Sequence, residues 1–390
     1  MRQHHFIFFG LTSWDSLPQR EHALAAECAR LGHQVDIIEI APSMAGKAHA
    51  MLQRTFSPLA RDRGFARRRQ VENLRIHTPP LLPTGFRNSL TPYYDRAVFR
   101  RWFRSTFRGI DLNRAIGVVM LPLWWGRFLD RDFFQPRLLV YDIADAPEVQ
   151  SRNARTLQRM TECERRIARD VDVITYSAQE MGSEITSHFP QVRTLFLPNA
   201  VSDEFLTSVR HQPRHRSNGT REIGYIGATS DRWFDAQLVR HVARAFPQHR
   251  FNIVGPAEPA VMAALGAESN VALHGFIPHE QLPAWLERFD LAIIPFQNNS
   301  ITRVVNPLKL YEYAAAGLPV VATRTDELRH FGSLVELADT PQSFVNAMER
   351  ALGEDSEEAH ATRRRFAEEN TWTERVQRLL SCIDEHVEVA

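Results

Sequence analysis

The chain has 390 residues, 44% of them hydrophobic, and a formal net charge of +1. That is too apolar for a disordered chain and too long for one ordinary core, so two domains of comparable size are expected. The near-neutral balance excludes a general polyanion binder, and three dispersed cysteines without ligand spacing, Cys28, Cys163 and Cys382, read as reduced packing residues of a cytoplasmic protein.

The apolar run in MRQHHFIFFGL is too short for a signal peptide or a spanning helix and predicts a buried first strand over 5–10. A helix over 17–31, stopped by Gly32, follows it. Further strands fall at 34–40, 73–77, 115–121, 137–142, 172–176 and 193–197, short apolar runs alternating with amphipathic segments as in parallel sheets covered by helices. The first turn, GLTSWDSLPQREH, lacks the GxGxxG spacing of a dinucleotide site. It sets Trp14, Asp15, Arg20 and His22 at a strand's carboxyl edge, where they are expected to meet an acceptor.

Between 54 and 108, thirteen arginines face only Asp62, Glu72 and Asp95. In a helix expected over 92–108, Phe99, Trp102, Phe103 and Phe107 share one face and Arg100, Arg104 and Arg108 another. The aromatic face fits a core; the arginine face is what favours resting on an anionic bilayer at the inner face of the cell membrane. The triplet Arg67–Arg68–Arg69 comes with no aromatic-interleaved motif, so no nucleic-acid partner is expected. Downstream, LLVYDIADAPEV (138–149) carries Asp142 and Asp145 at a strand's end, both candidates for a general base. Asp145 is equally placed to cap a helix ahead of Pro147.

The polar stretch TSVRHQPRHRSNGTR (207–221) reads as a linker between a first domain at 1–206 and a second at 222–372. The second domain restarts the pattern with strands at 222–227, 250–254, 270–274, 290–295, 319–322 and 334–337. Helices follow at 341–352 and 356–388, the last part, 373–390, expected to return to the first domain. Two doubly wound α/β domains of this kind leave a cleft facing the carboxyl ends of both sheets. The most informative segment is DLAIIPFQNNSITRVVNPLKLYEYAAAGLPVVAT (290–323), a buried strand, a polar loop and a helix opened near Pro307. Backbone N–H groups at that helix start favour a phosphate. Lys309 in the first turn can reach a diphosphate, and Glu312, at i+3 on the same face, can accept ribose hydroxyls.

These residues carry a resemblance to GT-B glycosyltransferases. PLKLYEYAAAGLPVVAT resembles the nucleotide-sugar signature of family-4-type enzymes, and LPNAVSDEF (197–205) resembles the junction that ends their first domain. GYIGATSDRWFD (224–235) and the stretch 270–296 extend the likeness over most of the C-terminal half. The resemblance implies a GT-B fold of two Rossmann-like domains and a donor site at Gly227, Ala228, Phe276, Phe296, Arg303, Asn306, Lys309, Leu310 and Glu312. Retaining family-4 enzymes carry a second acidic residue eight positions before Glu312, where this chain has Val304. The layout is more similar to inverting glucuronosyltransferases of exopolysaccharide assembly and to teichuronic-acid-type transferases. By that likeness Asp145 is favoured over Asp142 as the base, the donor is a UDP-sugar, and no metal or other cofactor is needed. The acceptor is a saccharide or a polyprenyl-linked saccharide. Two alternatives remain, a GT-B-fold sugar-nucleotide epimerase and a non-catalytic membrane-associated scaffold with a degenerate nucleotide site.

Overall fold

The computed structural model describes residues 3–14, 19–40, 71–80, 92–209, 219–353 and 356–389. Asp15, the arginines between 54 and 69, Arg87 and most of the expected linker (210–218) lie outside the described residues. The chain divides into two compact units, Met1–Tyr176 with Gly182–Leu197 and Val376–Ala390, and Ser177–Met181 with Pro198–Arg375.

The first unit is built on seven parallel strands, β1 (His5–Phe9), β2 (Gln34–Ile38), β3 (Leu74–His77), β4 (Ile116–Val119), β5 (Leu138–Ile143), β6 (Val173–Tyr176) and β7 (Arg193–Phe196), in the order β3-β2-β1-β4-β5-β6-β7. Register pairs Phe6 with Ile116 and Phe8 with Val118. Helices cover both faces of such a sheet, so its central strands read as continuous apolar runs, and Phe6 through Phe9 are all fully buried. The second unit repeats the plan with β8 (Glu222–Ile226), β9 (Arg250–Val254), β10 (Val271–Gly275), β11 (Leu291–Ile294), β12 (Val320–Thr323) and β13 (Glu336–Ala338), ordered β10-β9-β8-β11-β12-β13. In each sheet the strand order reverses at one point, between β1 and β4 and between β8 and β11. Such switch points are where open α/β sheets take their ligands, beyond the carboxyl ends of the strands.

Two expectations change. The helix read as continuous over 356–388 is two, Glu357–Glu368 and Trp372–Val389. At the break Val201 donates to the Asn370 carbonyl (3.1 Å) and accepts from Trp372 N (3.0 Å), a strand-like pairing that a helix running through Thr371 would exclude. The helix Asp203–Ser208 reaches into the expected linker, and its Phe205 and Leu206 join the core of the second unit.

The helix expected over 92–108 runs from Pro92 to Thr106. Phe99 and Phe103, with Phe107 just beyond, are buried, and Phe99 and Phe103 contact Phe128 and Phe134 respectively. The aromatic face is therefore core and has no bilayer contact to make. Its arginines are partly engaged too, since Arg96 and Arg100 both bond Asp130, and Arg100 and Arg104 lie over the Phe133 ring. Arg101, Arg104 and Arg108 are nonetheless exposed. Among the described residues no helix is long and apolar enough to cross a membrane.

Candidate functional site

At the carboxyl edge of the second sheet the chain gives up side chains where three strand ends meet. Gly227, Gly255 and Gly275 follow or end β8, β9 and β10, and all have positive φ. Gly227 N donates to Val254 O and Gly255 N to Gly275 O, each at 2.8 Å. A side-chain carbon at Gly255 would lie 2.2 Å from the Gly227 carbonyl oxygen, so only glycine lets these loops approach so closely. Over them stands Lys309, in the first turn of the helix Leu308–Ala315. Its Nζ lies 5.0 Å from the Tyr225 ring centre and 5.3 Å from that of Phe296, one residue in β8 and the other just past β11. The ammonium is thus held by aromatic faces at the β8/β11 switch point.

Glu312, one turn on, is nearly buried and takes a 2.8 Å contact from His279 Nε2. Sequence reading passes over this partner, because 33 residues separate the two and His279 looks like an ordinary loop histidine. Phe276, after β10, is 40% exposed and offers an aromatic face to solvent. The Ala228 carbonyl accepts from Tyr225 OH and Trp233 Nε1, both at 3.1 Å, which fixes the loop behind Gly227. In the same loop Thr229 Oγ1 is buried without a hydrogen-bond partner.

Other expected donor residues serve the frame of the site. Phe296 is buried and contributes a floor beneath Lys309. Leu310 packs in the core, and its N–H is taken by the Pro307 carbonyl at 3.0 Å. Asn306 is buried as well. Its Oδ1 accepts from Asn199 N (3.2 Å) and Tyr311 OH (3.1 Å), and its Nδ2 donates to Glu327 at 2.9 Å. With both lone pairs filled, its amide oxygen positions the helix start and has nothing left for a nucleotide. Burial raises the Glu327 pKa, partly offset by bonds from Asn306 and the Glu180 N–H. Arg303 is half exposed, 3.8 Å from Asp326. Val304, where retaining enzymes carry an acidic residue, is a buried valine.

In the first unit, Asp142 and Arg20 find each other. The Arg20 Nε and Nη2 both donate to the carboxylate at 2.9 Å, Thr175 Oγ1 adds a bond at 2.5 Å, and both charged side chains are buried. A carboxylate so occupied is poorly disposed to take a substrate proton, and an arginine so occupied does not reach for an acceptor. Asp142 and Arg20 are structural partners of each other, not the base and acceptor contact expected of them. Asp145 lies in the loop beyond β5, partly exposed; the N-cap of the short helix Pro147–Gln150 is Ala146.

Beyond β1, two of the expected acceptor residues, Trp14 and His22, lie against each other. Trp14 stacks edge-on to His22 (4.9 Å between centres) and its backbone N–H donates to Glu39 Oε1 at 2.6 Å. His22 Nδ1 accepts from Gln19 N at 3.1 Å, and burial lowers its pKa against the pull of Glu21 and Glu39. Thr12 donates to Glu21 at 2.7 Å, leaving Glu21 Oε2 buried without a partner.

Comparison with known proteins agrees with this geometry. Residues 220–354, all within the second unit, match the family model described as glycosyl transferases group 1. The chain is 28% identical over 225 residues to the putative teichuronic acid biosynthesis glycosyltransferase TuaH of Bacillus subtilis (strain 168), a match covering 54% of this chain and 56% of that one. Sucrose-phosphate synthase from Thermosynechococcus elongatus superposes with a TM-score of 0.74 at 13% identity, over all of both chains. Anabaena Alr3699/HepE, solved in complex with UDP and glucose, gives 0.68 at 12% identity over 98% of this chain and 100% of that one. The fold is GT-B, two α/β units each on a parallel sheet.

Proposed function

We propose that this GT-B chain is a glycosyltransferase that moves a sugar from a UDP-linked donor to a saccharide or lipid-linked saccharide in polysaccharide biosynthesis, inverting the anomeric centre without a metal. The observation that carries the reading is the Lys309 ammonium, held over Gly227 at the switch point of a group 1 domain, where a diphosphate needs a cation and close backbone approach. Glu312, oriented by His279, is suited to accept the ribose hydroxyls, and exposed Phe276 to lie against the base. The UDP found in HepE and the teichuronic acid label on TuaH support the donor and the pathway class.

In this reading the Asp145 carboxylate takes the proton of the acceptor hydroxyl while that oxygen attacks C1 of the sugar. The C1–O bond to the diphosphate breaks, and UDP leaves with its charge met by Lys309 and the helix dipole. The absence of a carboxylate at Val304 supports inversion over retention. Membrane contact, where the acceptor is lipid-linked, falls to exposed Arg101, Arg104 and Arg108 with Tyr93 and Tyr94, since the phenylalanine face is buried.

The test is incubation with UDP-sugars, with and without saccharide acceptors, followed by NMR of the new linkage. A transferase consumes donor only with acceptor and gives the inverted anomer. An epimerase converts the donor alone, and a scaffold binds UDP, seen as a rise in melting temperature, without turnover.

A further inference from the structure

Within the first unit, the loop after β4 and the helices Pro92–Thr106 and Ala154–Ile167 line a cavity of about 380 Å³ open to solvent, within the size range of small-ligand sites. Arg96, Arg127, Arg159 and Arg166 line it, with Glu162 as the one lining carboxylate among the described residues. Behind them, Asp95 stands 3.9 Å from Arg127, and Asp130 is shared by Arg96 and Arg100. Among these groups five guanidiniums face three carboxylates, so positive charge is in surplus. Burial, helped by Arg159 and opposed by Asp95, pulls the Arg127 pKa down to about 10, a strain that a bound anion would relieve. Arg166 is pinned by its bond to the Gly126 carbonyl at 2.8 Å, which fixes the fork it presents. None of these arginines belongs to the donor site described above.

We propose that this cavity binds a phosphate or diphosphate ester. Guanidinium forks match phosphoryl oxygens in geometry and charge, and several converging on one cavity favour a dianion over a carboxylate. One side of the cavity is apolar, with Pro92, Leu123 and the exposed ring of Tyr93. That mixture suits a phosphorylated amphiphile, which under the transferase reading is the acceptor's own lipid phosphate. Anion binding itself does not depend on that reading.

The experiment is isothermal titration of inorganic pyrophosphate into the full chain, held at saturating UDP so that the donor site is filled. Pyrophosphate should still bind, about tenfold or more weaker in R159Q/R166Q and unchanged in K309A, as expected for loss of charge-assisted contacts. Displacement of all pyrophosphate by UDP overturns the proposal, and so does undiminished binding by a folded R159Q/R166Q protein. If the double variant melts early, R166Q alone, at an exposed helix position, serves the same comparison. Vesicles then separate the sources: arginine-dependent capture by phosphatidylglycerol vesicles carrying a long-chain isoprenyl diphosphate, and not by plain ones, supports the acceptor assignment. Equal capture of variant and wild type by both kinds overturns it. A chain that binds no UDP defeats the transferase reading, while arginine-dependent pyrophosphate binding would still support the cavity.

Discussion

The two sheets share one strand order around their switch points, yet their carboxyl edges are finished in opposite ways. Between β1 and β4 the edge is filled: Trp124 Nε1 bonds the Gly10 carbonyl at 2.8 Å, its ring meets Phe9 and Phe99, and next to it the Arg20–Asp142 pair is sealed from water. Between β8 and β11 the edge is stripped to glycine, with a lysine ammonium set over two rings. Topology therefore offers a ligand site in both units, and side chains decide whether it is used. The filled edge contributes stability. The stripped one leaves close backbone approach and a cation for an anionic ligand.

The sharpest break between a catalytic and a structural carboxylate lies within three residues, from the end of β5 into the loop beyond it. Asp145→Asn should lower turnover by about 10²–10⁴-fold, the worth of a general base, while UDP affinity and the melting transition stay close to wild type. Transfer assays beside a UDP titration check this, and undiminished turnover would remove Asp145 from the reaction. Three residues earlier, Asp142→Ala should do the reverse. It leaves the Arg20 guanidinium buried without its carboxylate, which costs about 3–5 kcal/mol in denaturant unfolding. An Asp142→Ala protein as stable as wild type would mean that the filled edge contributes little.

On the stripped edge, Lys309→Ala should weaken UDP binding by about 1.5–3 kcal/mol, the range for a hydrogen bond to a charged group, with little loss of stability. Calorimetry reads the affinity directly. An unchanged dissociation constant would mean that the ammonium serves the Tyr225 and Phe296 rings and not a diphosphate.

Much of this was legible before the structure because it is local. Among the described residues all thirteen strands overlap the predicted ones, the central ones as apolar runs because they are buried on both faces, and Lys309 with Glu312 stands out because a single helical turn joins them. What escaped depends on distance along the chain. Arg20 and Asp142 are 122 residues apart and His279 and Glu312 are 33 apart, and no periodicity announces either pair. The face of Phe99, Phe103 and Phe107 was ambiguous for another reason: an amphipathic helix shows one pattern whether its apolar side meets a core or a bilayer. The helix break at Thr371 has neither proline nor glycine and is imposed by pairing with Val201.

The smallest expected effect belongs to the filled edge's own sheet. Asp36 in β2 is fully buried. His5 Nε2 and His77 Nε2 lie 2.6 Å from its oxygens and Arg75 lies at 2.7 Å, contributed by the strands on either side. Burial alone would raise its pKa; the bonds from His5, His77 and Arg75 outweigh burial and hold it well below the usual carboxylate range. A group depressed on folding contributes its stability above the unfolded value near ~3.9 and loses it as pH falls toward the folded value. The melting-temperature gap between wild type and Asp36→Asn should therefore be largest near about pH 6 and shrink toward about pH 3. A gap that stays constant across that window would mean the carboxylate's charge is not what ties β1, β2 and β3 together, and that the neutral amide holds the three strands as well.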